Sequence, residues 1–226
     1  MSDIATTKKL TPDLLLRGYA AGIFPMSDSS DTQEYFWVNP KVRGILPLDR
    51  YHLSKNLKKI VRKELFRVTF NQKFNSVIDL CAEKTQHRKN TWINSPIRNS
   101  VQLLHEKGFA HSVECWSGQE LVGGLYGISL GSAFFGESMF SRTNDASKFA
   151  LVYLLAQLHI GKFQLLDTQF KTDHLAQFGV VEISSKDYLS KLERALKYQS
   201  HFNPTPAPEL LKSAVSFILD NSCRII

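Results

Sequence analysis

The chain has 226 residues, of which 43% are hydrophobic, and a formal charge of +7; that suits a soluble globular protein with one full core and a smaller companion unit. No stretch approaches the ~18 apolar residues of a membrane span, and residues 1–10 lack the apolar centre of an export signal, so a cytoplasmic location is expected. Cys81, Cys115 and Cys223 are odd in number and widely spaced, which argues against a disulfide framework and a zinc site, and no metal or cofactor is expected.

Thr11-Pro12-Asp13 reads as a helix start, with Thr as N-cap and Pro at the first helical position, and residues 14–21 run to a stop at Gly22. An extended exit at 23–26 and a polar loop at 27–34 follow, then short strands at 35–38 and 44–46 on either side of Pro40. Residues 1–48 are therefore expected to form a small N-terminal lobe that must pack on the rest. Between Arg50 and Lys73 stand eight Lys or Arg residues against one acid, Glu64. Residues 52–64 alternate at helical spacing, with Leu53, Leu57, Ile60 and Val61 as the apolar stripe and Lys55, Lys59, Arg62 and Lys63 outside it. A second basic group, Lys84, Arg88, Lys89 and Arg98, turns this reading from a solvated surface toward a polyanion partner whose phosphates the lysines would hold.

The order from residue 49 to 198 is helix, a strand at 66–70, and helices at 74–83 and 97–107, the second stopped by Gly108. Strands at 111–116 and 120–129 flank the hairpin signal Ser117-Gly118, and Leu130-Gly131 turns into a third strand at 131–135. A helix at 145–159, a strand at 163–166, a short helix at 173–178 and a last strand at 180–183 complete the unit. An antiparallel meander, a crossover helix and a strand returning beside the third is the order of an acetyltransferase-like (GNAT) α/β fold, a mixed sheet flanked by helices. Residues 199–226 carry Pro204, Pro206 and Pro208 before an amphipathic run at 209–219, a proline-linked tail with one helix.

The third strand runs straight into Gly136-Glu137-Ser138-Met139-Phe140-Ser141-Arg142, and Phe163-Gln164-Leu165-Leu166 into Asp167-Thr168-Gln169. Two strand ends carrying polar groups side by side make a site. An acyl-CoA donor would need glycines where the third strand meets the next helix, so that backbone amides can approach the pyrophosphate. Residues 140–148 contain none. The activated acyl group is thus expected on something larger and more anionic.

Further motifs narrow the reading: Gly18-Tyr19, Gly22-Ile23-Phe24-Pro25, Trp37 with Pro40 and Arg43, Thr91-Trp92-Ile93 and His111-Ser112-Val113-Glu114. To these are added Gly123-Gly124-Leu125-Tyr126-Gly127, Ala146-Ser147-Lys148 after the Glu137 segment, and His174-Leu175 before Gly179. In this order, from Leu14 to about Leu196, the chain resembles the bacterial leucyl/phenylalanyl-tRNA–protein transferases. The resemblance implies transfer of Leu, also Phe or Met, from aminoacyl-tRNA to the N-terminal amine of proteins starting with Lys or Arg, which marks them for N-degron proteolysis. It implies that Asp167 and Gln169 are catalytic and that Leu125, Phe134, Met139, Leu151 and Leu154 form the aminoacyl pocket. Two positions depart from the family pattern, Thr168 in place of Cys and Thr172 in place of Asn.

The chemistry can be argued apart from the family. An aminoacyl ester is already activated, so aminolysis needs a neutral amine in line with the carbonyl, stabilisation of the oxyanion and a destination for one proton. Asp167 is expected to orient Gln169 by accepting from its amide NH₂, with the Gln carbonyl accepting from the amine. A carboxamide oxygen is too weak a base to hold the proton, so this pair positions and does not relay. The plainer role for Asp167 is to cap the helix near Asp173 or to pair with Lys171. Glu137 is expected to attract the α-ammonium or basic side chain of the acceptor; its plainer role is an ion pair with Arg142. Trp37 and Trp92 suit stacking on the terminal adenosine, at ~1–3 kcal/mol per base. Two other readings stand beside the first: a tRNA-dependent peptidyltransferase acting on cell-wall precursors, and a non-catalytic tRNA-binding module.

Overall fold

The computed structural model describes residues 9–85 and 89–223. Helix α1 (Pro12–Ala20) starts as its sequence dictates, with the Thr11 hydroxyl accepting from the Leu14 amide. It leads into β1 (Phe24–Met26), which pairs antiparallel with β2 (Phe36–Val38), and then into β3 (Val42–Ile45). Helix α2 (Lys55–Arg62) is shorter than its apolar stripe, because the Ser54 side chain caps it at the Leu57 amide. His52, ahead of that cap, instead bonds the Cys223 carbonyl. Strand β4 (Arg67–Phe70) and helix α3 (Phe74–Ala82) follow. Helix α4 (Ser95–Glu106) begins earlier than its periodicity requires, since Asn94 caps the Ile97 amide.

The meander is β5 (Ala110–Ser117), β6 (Glu120–Leu130) and β7 (Ala133–Ser141), with Gly118 at φ +58° in the first turn, where a side chain would be strained. Strand β7 does not end at Phe135; it continues through the polar segment that sequence reading treated as a strand end. Helix α5 (Ala146–Ile160) crosses to β8 (Leu165–Gln169), then come α6 (Asp173–Ala176), β9 (Val181–Ser184), α7 (Ser185–Leu196) and α8 (Pro208–Asp220).

Seven strands form one mixed sheet in the order β4-β5-β6-β7-β8-β3-β9, antiparallel except for β7 beside β8. The strand after the crossover does return beside the third, as the element order required. Strand β3, on the N-terminal side of residue 48, lies inside this sheet between β8 and β9. Both faces are covered. On one, α5 packs on the strands with α2 and α8 beside it, and Leu57, Phe149, Leu155, Ile218 and Leu219 share a core. Helix α5 is apolar nearly all round, which fits a helix enclosed between the sheet and α8. On the other face α1, α3, α4 and α7 bury Leu15, Val77, Ile97 and Tyr188. Among the described residues no helix is long and apolar enough to cross a membrane.

Candidate active site

The parallel ladder between β7 and β8 is short, running from Ala133 opposite Leu165 to Phe135 opposite Asp167. Where it ends, β7 bulges. Tyr126 pairs with Ser138 and Gly127 with Gly136, so Glu137 is the extra residue. Strict alternation would put Phe135 and Met139 on one face. The bulge breaks that parity: Phe135 joins the core beneath α1, and Met139 packs on the core beneath α5.

A cavity of about 860 Å³ opens at this parting. The α5 side supplies an apolar compartment of Leu46, Leu125, Met139, Leu151, Leu154 and Leu166. The opposite side supplies Glu137, Gln169 and Tyr126, with Phe24, Met26 and Trp92. Four of the five expected pocket residues thus share one compartment. Phe134 does not line it; it is fully buried against Phe163 and Phe202, with ring centroids 6.1 and 6.0 Å away, and serves as core. Trp92 stands in the cavity wall and Trp37 does not. Trp37 alternates with Phe24 and Met26 across the β1–β2 ladder, so its ring faces away from them and packs over Gly18.

Glu137 Oε1 accepts from the Tyr19 hydroxyl at 2.8 Å and from Gln169 Nε2 at 3.2 Å. Burial pushes the Glu137 carboxyl up to about 8; the Tyr19 bond and Arg43 pull it down, while the Asp167 charge adds to the rise. Arg142 ion-pairs with Glu83 at 2.6 Å, so it is not the partner of Glu137. Tyr126, fully buried beside the same cavity, has a hydroxyl with no partner among the described residues.

Asp167 lies behind this wall with no exposed surface. It accepts from Arg43 Nε at 2.9 Å and Arg43 Nη2 at 2.6 Å, from the Tyr188 hydroxyl at 2.7 Å and from the Gln169 backbone amide at 2.8 Å. This corrects the expected geometry: Asp167 holds the Gln169 backbone, and the Gln169 side-chain NH₂ goes to Glu137. Nor does Asp167 cap α6, which Thr172 does through the Leu175 amide, or pair with Lys171. Burial opposes the Arg43 charge, yet the Asp167 bonds more than offset it and leave the guanidinium pKa raised. The same guanidinium donates to the Gly22 carbonyl and stacks over Phe24 and Tyr188.

The Asp167 bond has a conformational consequence. Gln169 sits at φ +55°, a left-handed conformation that costs a residue with a side chain on the order of 1–2 kcal/mol. The hydrogen bond that its backbone N–H donates to Asp167 fixes that turn. The turn also needs a glycine opposite, since a Cβ on Gly44 would lie 2.6 Å from the Phe170 carbonyl carbon. Arg43, Gly44, Tyr188 and Asp167 together aim the Gln169 side chain at Glu137.

His174 also lines the cavity, with its Nε2 buried and unpartnered among the described residues. Burial, then the Lys148 charge, lowers its pKa. The sequence motifs include Tyr19, Arg43, Tyr126 and His174 without giving any of them a role, and Tyr188 belongs to none of them. No cluster of three or more His, Cys, Asp or Glu side chains suited to a metal occurs among the described residues.

On the outer surface, Lys55, Lys59, Arg62 and Lys63 are exposed on α2 and its C-terminal cap. Arg62 reaches Asp220 at 3.3 Å, and the other three have no ion pair among the described residues. Asn56 on the same helix bonds Asp145, which opens α5, about 9 Å along the helix axis from Leu151. The second basic group is largely neutralised: Lys84 pairs with Asp31 and Arg98 with Asp79. Lys89 is exposed, and Arg88 lies outside the described residues.

Residues 45–193 match the family model described as leucyl/phenylalanyl-tRNA protein transferase, and residues 8–41 match that of its N-terminal domain. A leucyl/phenylalanyl-tRNA–protein transferase from Zymomonas mobilis is 57% identical over 190 residues, covering 84% of this chain and 71% of that protein. One from Hyphomonas neptunium is 53% identical over 201 residues, 88% of this chain and 78% of that protein. A solved structure of a functionally unknown protein from Staphylococcus epidermidis overlaps at TM-score 0.38 and 14% identity, over 79% of this chain and 66% of that one, too loosely to carry an argument. By the match of two thirds of its length to the family model and more than half its aligned residues to these relatives, the chain belongs to the leucyl/phenylalanyl-tRNA–protein transferase family of enzymes.

Proposed function

We propose that the protein moves Leu, and also Phe or Met, from aminoacyl-tRNA onto the N-terminal amine of proteins that start with Lys or Arg, marking them in the cytoplasm for N-degron proteolysis. The observation that carries this reading is the two-sided cavity, in which an apolar compartment opens directly beside the Glu137 and Gln169 side chains. The amino-acid side chain enters among Leu125, Met139, Leu151 and Leu154, where a flexible thioether adapts to branched or aromatic guests. Trp92 offers a face to the terminal adenosine. Lys55, Lys59 and Lys63, with Arg62, receive tRNA phosphates by charge, without base reading.

Within this reading Glu137 is the acidic group that receives the acceptor's cationic end, and Gln169 orients the incoming amine. Asp167 contributes by fixing the Gln169 turn. The crossover from β7 through α5 to a parallel β8 supports an acetyltransferase-like ancestry for the sheet, with the CoA-binding glycines absent from residues 140–148. The test is to mix the protein with leucyl-tRNA and peptides starting with Arg, Lys or Ala. Leu on the first two and not the third is the expected result; no transfer to any of them refutes the reading.

A further inference from the structure

Aminolysis by an ammonium group requires a base, and the two carboxylates nearest the cavity differ in what they can do. Asp167 has no exposed surface, is ion-paired to Arg43, and both of its oxygens are already occupied by donors. A proton could reach it only by displacing Arg43 or Tyr188. Glu137 has the opposite arrangement. Both bonds it accepts fall on Oε1, from Tyr19 and Gln169, and Oε2 accepts none among the described residues. The residue lines the cavity and stands on the bulge, where no cross-strand neighbour opposes it.

We propose that Glu137, held by Tyr19 and Gln169 through Oε1, is the catalytic base that takes the proton from the acceptor's α-ammonium through Oε2. This deepens the aminoacyl-transfer reading and rests on it. The ammonium gives one proton to Oε2, and the freed lone pair attacks the ester carbonyl carbon to form the C–N bond. As the ester C–O bond breaks, its electron pair stays on the tRNA 3′ oxygen, which takes a second proton from the nitrogen. The third remains as the amide N–H, and Glu137 releases its proton to solvent after the product leaves.

The groups facing Glu137 support this assignment. Tyr19 approaches from α1, Gln169 and Asp167 from β8, Arg43 from β3 and Tyr126 from β6. Their combined effect with burial leaves the carboxyl near the range of an α-amine, about 7.7 to 8, so that transfer in either direction is close to balanced. Tyr19 is a positioning residue here. Its hydroxyl stabilises the carboxylate, and its own pKa is raised well above the usual value by burial and then by Glu137, so it remains a donor throughout.

The experiment is single-turnover transfer of Leu from leucyl-tRNA to a peptide starting with Arg, from about pH 6 to about pH 9. Wild-type protein is compared with Glu137→Gln and Tyr19→Phe, and tRNA binding is measured on each as a check of folding. Glu137→Gln is expected to lower the rate at saturating acceptor by about a hundredfold or more, with tRNA binding retained. Tyr19→Phe keeps the base but loses the bond that lowers its pKa, so the rising limb of the profile moves to higher pH and the rate recovers at the alkaline end. A merely structural Tyr19 would scale the profile without moving it, as would a profile set only by the amine. Transfer by Glu137→Gln within about threefold of wild type, or an unmoved limb in Tyr19→Phe, overturns this proposal alone. Absence of transfer by the wild-type protein overturns the functional reading, and this proposal with it.

Discussion

Asp167→Asn separates a structural carboxylate from a catalytic one. The substitution keeps the size of the side chain and removes the charge from a site where Asp167 is 0% and Arg43 1% exposed. It also places an NH₂ group among donors, since Arg43, the Tyr188 hydroxyl and the Gln169 amide all donate to this carboxylate. Removing one partner of a buried, hydrogen-bonded ion pair costs about 3–5 kcal/mol, mostly because the other charge is left uncompensated. At about 2–4 °C per kcal/mol for a chain of this size, the expected fall in Tm is about 6–20 °C. Thermal unfolding followed by circular dichroism reads it directly. Activity should fall in step with the unfolded fraction and with the loosened Gln169 turn. A variant that melts within about 2 °C of wild type while losing all transfer would refute this reasoning and point to a direct part for Asp167 in the chemistry.

Glu137→Gln is expected to stabilise the protein under alkaline conditions. The folded carboxyl is raised to about 8, so between the unfolded value near 4.3 and about 8 the folded state binds the extra proton and stability declines as pH rises. Removing the carboxyl should therefore raise Tm at about pH 8 and leave it unchanged near pH 4; equal Tm values at both ends would contradict the raised pKa. Reversing Lys59 to Glu should weaken tRNA binding and flatten its dependence on salt, by about one unit in the log–log slope for each phosphate no longer neutralised. An unaltered slope would take α2 out of the tRNA surface. Trp92→Ala should raise KM for leucyl-tRNA by an amount matching the ~1–3 kcal/mol of a stacked base. Trp37→Ala should instead lower Tm, because its ring covers Gly18; a larger KM effect from Trp37 than from Trp92 would reverse these assignments.

Local signals carried much of the fold. Thr11-Pro12 and Gly118 act on their own neighbours, α2 is a continuous periodic segment and α5 a continuous apolar one, so their positions follow from short-range chemistry. Helix α7 is harder to read, although Ser184 caps it and Tyr188, Leu192 and Ala195 mark its buried face. Its polar outer residues obscure that stripe. The candidate site was legible in part as a set of residues and not as a geometry. The Arg43–Asp167 pair joins residues 124 apart in sequence, and no local pattern announces it. The bulge at Glu137 is likewise invisible in sequence, because it arises from pairing with Tyr126 and Gly127 on another strand. Phe134 shows the converse: it resembled a pocket residue by position, and packing against Phe163 and Phe202 decided otherwise.

The most direct test of the central claim is a structure of the protein bound to a leucyl-adenosine amide, a stable mimic of the charged tRNA end. The account predicts the leucyl side chain among Leu125, Met139, Leu151 and Leu154, the adenine against Trp92, and the carbonyl carbon beside Glu137 and Gln169. An amide lodged outside this cavity, or turned so that its carbonyl faces away from Glu137, would contradict it.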